Sequence, residues 1–199
     1  MRKCYAEAAW LGRHCFCADI DMNSINKQQP EDNYEDLFGE SAQKKIKEMV
    51  DKAGTCFFCT AVSSGWPFAT RPMAIQKVDA EGALWFLSAN DSHHDKEIAE
   101  DNSVQLLFQG SSYSDFLNLY GKATISQDKK KIKELWNPML KTWFTGGVDD
   151  PRISVIKVEP EGGYYWDTKN NMAIGMIKRV AGAIMGKTLD DSIEGQIKV

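Results

Sequence analysis

Between Phe57 and Glu97 the chain alternates apolar runs with turn chemistry. F-F-C-T-A-V ends at Ser63, Ser64-Gly65 turns, W-P-F-A-T-R-P-M-A-I-Q-K-V follows, Asp79-Ala80-Glu81-Gly82 turns again, and A-L-W-F-L-S closes the series. Runs of this length, bounded by Gly, Asp and Ser, read as strands joined by tight turns. The polar cluster Asn90-Asp91-Ser92 then leads into a helix start, with Ser92 and Asp95 at capping-box spacing. A strand meander that runs into a helix head creates an anion seat, because the first-turn amides lack intrahelical acceptors and the dipole favours negative charge. Arg71, a lone cation in the middle strand, needs either a solvated face or a bound anion. Pro72 deletes an amide donor inside that strand, which implies an edge, a bulge or backbone turned to a ligand.

The flanking elements follow from period and punctuation. Ser41–Ala53 reads as a helix capped by Ser41, with Ile46, Met49, Val50 and Ala53 on one side and Gly54 as its stop. Strands are expected at 55–63, 68–78, 83–88, 104–109, 116–126 (bent at Gly121), 153–159 and 163–167. Short helices are expected at 93–101 and 128–136, and an amphipathic helix at 170–185. Six or seven strands joined mainly in sequence order predict a mainly β (α+β) fold, an antiparallel β-barrel with added helices. Residues 1–40 form an extension that reads as a mobile arm, with Met22 as a second possible start. Residues 41–168 form the barrel domain, and 169–199 a C-terminal amphipathic helix and tail. That last helix has three readings: a barrel cover, an extension of a dimer interface, or a membrane-surface segment.

Composition excludes several functions. A net charge of −4 leaves no footprint for nucleic acid, and Lys129-Lys130-Lys131 reads as a solvated helix face. No apolar run approaches the roughly 20 residues a membrane span needs, and Glu7, Gly12, Arg13 and His14 interrupt any signal-peptide core. A cytoplasmic protein is the expectation. Five cysteines without a secretory signal argue against a disulfide framework. Cys56 and Cys59 point to opposite faces of a strand, which suits buried thiols better than a redox or metal pair. Cys4, His14, Cys15 and Cys17 make at most an incomplete zinc site, so no metal is expected.

Four segments in order carry a resemblance. Gly65-Trp66-Pro67-Phe68-Ala69-Thr70-Arg71-Pro72-Met73 resembles the G-x-P-x-x-R-P-M hairpin of general stress proteins in the pyridoxamine 5′-phosphate oxidase superfamily. Leu84-Trp85-Phe86-Leu87-Ser88 with Asp91-Ser92 looks like that family's next segment. Trp143-Phe144-Thr145-Gly146-Gly147 with Asp149-Asp150-Pro151 is close to its W-F-P-G-G-x-D-D-P loop, and Tyr165-Trp166-Asp167 matches its late strand. The resemblance implies an FMN-binding split β-barrel, a homodimer with flavins at the subunit interface. Thr70, Arg71, Pro72 and Met73 would lie along the isoalloxazine, with Arg71, Leu87 and Ser88 toward the ribityl-phosphate side. Ser92, His93, His94 and Lys96 would belong to the phosphate seat, and Trp143, Phe144 and Trp166 would close over the ring. NAD(P)H is the expected reductant of a flavin oxidoreductase whose substrate stays open. A flavin sensor or store without turnover, and a dimeric scaffold without FMN, are the alternatives.

Two departures from the family pattern bear on function. The family's phosphate-pairing lysine is replaced by His94, which offers a weaker donor. After Trp166 comes Asp167-Thr168-Lys169-Asn170, without the Arg-x-His element by which pyridoxamine-phosphate oxidases grip substrate. Oxidation of a vitamin B6 phosphate is therefore not expected, and no C-terminal histidine offers a heme ligand. Phe57, Phe58, Trp85 and Phe86 read as core, whereas Trp143-Phe144 in a Gly-rich loop needs a partner subunit or a flavin to cover it.

Overall fold

The computed structural model describes residues 33–63, 67–112, 114–169 and 191–199. The Ser64-Gly65 turn, the helix expected at 170–185 and the N-terminal cysteines lie outside the described residues.

Helix α1 (Glu40–Ala53) buries Ala42, Ile46, Met49 and Val50, the face its periodicity predicts, and stops at Gly54 with φ 66°. It begins one residue earlier than expected, at Glu40, with Gly39 in the N-cap position. Ser41 does not cap it in the expected way; its hydroxyl donates to the Phe38 carbonyl at 2.8 Å and accepts from the Phe38 amide at 3.2 Å.

The strands are β1 (Leu37–Phe38), β2 (Thr55–Thr60), β3 (Ala69–Ala74), β4 (Lys77–Val78), β5 (Leu84–Ala89), β6 (Ser103–Gln109), β7 (Phe116–Ser126), β8 (Ile153–Thr168) and β9 (Ser192–Lys198). They form one mixed sheet, almost wholly antiparallel, in the order β1-β9-β8-β7-β6-β2-β3, with β5 bonded to β8 and β4 to β5. The strand expected at 68–78 is divided into β3 and β4 at Ile75-Gln76. The Ile75 amide donates to the Gly54 carbonyl at 3.1 Å and the Gln76 amide to the Trp85 carbonyl at 2.9 Å. So β3 is bonded to β2 and β4 to β5, and no continuous ladder closes the barrel. This is a split β-barrel.

The two strands expected at 153–159 and 163–167 are one, the 16-residue β8. Its length has a topological reason. Val155–Trp166 pairs with β7 along one edge; on the other, Ile153–Val158 pairs with β5 and Gly162–Thr168 with β9. The break that seemed to separate two strands is a register shift at Tyr120/Gly121, where a side chain on Gly121 would meet the Glu159 carbonyl. β9 was not anticipated. It and β1, which runs parallel to it, extend the sheet from outside residues 41–168. Part of the expected N-terminal arm is thus built into the fold: Asn33 is buried and Tyr34 bridges to Glu194.

The main core lies between α1, helix α2 (His93–Glu100) and the inner sheet face, centred on Phe58, Phe86, Leu106, Leu119 and Ile156. A smaller cluster packs helix α3 (Lys129–Leu135) and the loop after it on the other face of β5, through Leu87, Ile132, Phe144 and Ile153. Phe57 corrects the expectation of four core aromatics. It is 57% exposed, because its side chain alternates to the outer face while Phe58 points in. Cys56 and Cys59 are free and buried, as expected, and burial pushes the Cys56 thiol up to about 12.

Candidate functional site

β3 divides the residues of the expected hairpin between two faces. Thr70 and Pro72 are exposed on the outer face, in register with Cys59 and Phe57 of β2. Arg71 and Met73 point the other way, Met73 against the main core. Arg71 reaches α2, where its guanidinium grips Glu97 at two points. Nη1 donates to Oε2 at 2.8 Å and Nη2 to Oε1 at 3.2 Å. Nη1 also donates to the Thr60 hydroxyl at 3.0 Å, and that hydroxyl donates to Glu97 Oε2 at 2.5 Å. The Arg71 contact holds the Glu97 carboxyl below its usual range, with Thr60 adding to the effect.

At the head of α2, Ser92 is the N-cap. Its hydroxyl accepts from the Asp95 amide at 3.1 Å and donates to Asp95 Oδ1 at 3.2 Å. The Ser88 and Ser92 hydroxyls lie 3.4 Å apart. The amides of His93 and His94, at the first two helical positions, have no acceptor within the helix. The Ser88 hydroxyl, the two free amides and, once released from Asp95, the Ser92 hydroxyl form a donor set that fits a phosphate oxygen.

The remaining expected residues separate. His93 and Lys96 are exposed at the first turn. His94 is not: it is 3% exposed, its ring stands against Phe58, and neither ring nitrogen has a hydrogen-bond partner. Burial first, and Arg71 second, lower its pKa to about 4, so it is neutral near pH 7. A phosphate-pairing role for His94 does not match this inward orientation. Leu87 packs in the second cluster, on the opposite face of β5 from Ser88. Phe144 joins it there at 6% exposed, so the Gly-rich loop supplies its own packing partner, while Trp143 is 66% exposed. Trp166 is 40% exposed on β8 and leans on Tyr164, ring centroids 4.6 Å apart.

Two residues of the site had no signal in the sequence that would single them out. Glu97 and Thr60 are ordinary helix and strand residues until the fold carries β2, β3 and α2 together. No cluster of His, Cys, Asp and Glu among the described residues could hold a metal ion.

A model of the family described as pyridoxamine 5′-phosphate oxidase like matches residues 41–190. The chain belongs to that family. Protein bli-3 of Neurospora crassa is 30% identical over 128 residues, which are 59% of this chain and 61% of that protein. This chain thus spans less than two thirds of that relative's length. A crystal structure from Jannaschia sp. CCS1, described under the name general stress protein 26, superposes with a TM-score of 0.67 at 20% identity. The match covers 78% of this chain and 97% of that one. A structure described as the general stress FMN/FAD binding protein from Xanthomonas citri superposes with a TM-score of 0.55 at 19% identity, over 66% and 91% of the two chains. At these identities the structures establish the fold, a pyridoxamine 5′-phosphate oxidase-like split barrel. No helix among the described residues is long and apolar enough to cross a membrane.

Proposed function

We propose that this chain is a flavin-binding protein of the general-stress type that holds FMN between two copies of itself. The observation that carries this reading is the placement of three features. The donor set of Ser88, Ser92 and the α2 amides lies at the head of the helix that Arg71 reaches from β3, and Thr70 and Pro72 flank Arg71 on that strand, facing the outer surface. On the same outer sheet surface, Trp166 stands exposed, with β2, β6 and β7 between it and β3. Four strand spacings separate them by roughly 19 Å, more than one isoalloxazine spans. Trp166 and Thr70-Pro72 can serve one flavin only if they come from different subunits. Pro72, Phe57 and Leu107 lie on one rung of that surface and leave apolar area for a second copy to cover.

In this reading residues 41–168 form the flavin domain. Thr70 and Pro72 present backbone to the ring edge, Ser88 and Ser92 hold the phosphate end, and Trp166 of the partner subunit shields the ring from water. Bound there, the flavin supplies two-electron chemistry, a hydride taken from a donor such as NAD(P)H and delivered to an acceptor. The chain's own part is binding and orientation. The test is a titration of the dimer with FMN, followed by flavin fluorescence, in wild type and Trp166→Ala. Saturable binding that weakens in the variant supports the reading, and absence of binding to the folded dimer rejects it.

A cofactor-free dimeric scaffold is the second reading. It is favoured by His94 turning inward and by Glu97 occupying Arg71. Binding without NAD(P)H consumption would instead point to a flavin sensor or store.

A further inference from the structure

The pair between Arg71 and Glu97 bears on which flavin the site takes. Arg71 reaches α2 but is engaged at two points by the Glu97 carboxylate and at a third by Thr60, and Arg152, which interacts with Asp91 just before the helix, is paired with Asp150. The other charges at that end of α2 do not replace Arg71. Asp95, buried behind Ser92, keeps one carboxylate oxygen without a partner. Asp91 and Lys96 are exposed, and His94 is buried and neutral near pH 7. A phosphate dianion that settles on Ser88, Ser92 and the first-turn amides meets hydrogen-bond donors and, as its nearby cation, the exposed Lys96, a solvated ammonium whose pull is screened by water. To gain Arg71 it must displace Glu97, which then stands as a like charge beside it and leaves the Thr60 hydroxyl to find another acceptor.

We propose that Glu97 is a specificity determinant: by holding Arg71 it withholds the guanidinium from the phosphate end of a bound flavin, so this chain binds riboflavin nearly as well as FMN. The inference rests on the flavin reading above. A charge-assisted phosphate contact ordinarily contributes roughly ten- to a hundredfold in affinity. Here most of that gain is cancelled by the broken Arg71–Glu97 pair. Glu97→Gln keeps the shape of the pair and removes its charge, and Glu97→Ala removes the competitor altogether.

Equilibrium dialysis against FMN and against riboflavin, on the full chain, tests this. The wild type is expected to prefer FMN by less than about tenfold. Both variants are expected to tighten FMN by about tenfold while riboflavin stays within about twofold. Preference for FMN above about a hundredfold in the wild type overturns the proposal. So do folded variants that leave the FMN-to-riboflavin ratio unchanged. If circular dichroism shows both variants unfolded, the wild-type ratio decides alone. Binding of neither flavin by the folded wild type rejects the flavin reading itself, and this inference with it. Binding of both with no effect of Glu97 rejects only the inference.

Discussion

The His94 ring stands edge-on to the Phe58 ring, with centroids 4.5 Å apart and planes at 86°. A residue at the first turn of a surface helix is therefore a core residue, and both its ring nitrogens are buried without partners. In the unfolded chain its pKa is near 6.5; in the fold it is about 4. Between these values the unfolded chain binds a proton that the folded chain does not, so stability from this group is complete above pH 6.5 and falls as pH drops toward 4. From pH 7 to pH 5 the loss is about 2 kcal/mol. Urea unfolding at the two pH values should show it in wild type, and His94→Leu should lack that component. His94→Leu should also be more stable at pH 7 by about 1 kcal/mol, because it removes buried polar atoms that gain nothing. His94→Lys should be destabilised, since it asks the core beside Phe58 to take a cation.

Ser92 has two roles that different ligands separate. As N-cap of α2 it accepts from the Asp95 amide, and Ser92→Ala should cost about 1 kcal/mol of stability. In the proposed flavin site the Ser92 hydroxyl turns from Asp95 to donate to the FMN phosphate, a group riboflavin lacks. Ser92→Ala should weaken FMN and leave riboflavin unchanged in equilibrium dialysis; equal loss of both would mean that the phosphate lies elsewhere.

Phe57 and Leu107 are opposite one another on β2 and β6, and both are exposed in the single chain. Phe57→Glu with Leu107→Lys should leave the circular dichroism of the monomer intact and move the protein from dimer to monomer in light scattering. A dimer that survives both charges would place the interface on another face.

Gly195 lies on β9 against Glu35, in the segment that leads into β1. A Cβ there would sit 1.9 Å from the Glu35 carbonyl oxygen, a backbone atom that cannot swing aside. Gly195→Ala should lower stability by about 2 kcal/mol or more, seen as a fall in Tm, with early loss of amide protection at Glu35, whose amide donates to the Glu194 carbonyl.

The residues whose patterning is local were readable in advance. β7 begins and ends where the apolar alternation of Phe116–Ser126 does, and α1 buries the side that its three- and four-residue spacing marks. The Ser92 cap likewise follows from its spacing to Asp95. What was not readable depends on partners distant in sequence. Ile75-Gln76 looks like strand interior, and only Gly54 and Trp85 decide that it is the split. β9 carries Ile193, Gly195 and Ile197 on one alternation, but with a glycine at its centre the signal is too weak to announce a strand. The sequence offers Arg71 a solvated face or a bound anion; its partner in the fold is neither, but a carboxylate of the same chain. That the partner is Glu97, 26 residues on, follows only from the packing of α2 across β2 and β3.

The central claim is that two copies of this chain hold flavin between them, and one measurement bears on it most directly. The purified protein is loaded with FMN, desalted, and run on size exclusion with light scattering and a visible absorption spectrum across the peak. The account predicts a dimer peak that carries the flavin band at close to one flavin per chain. A folded dimer that emerges colourless would contradict it and leave the scaffold reading in its place.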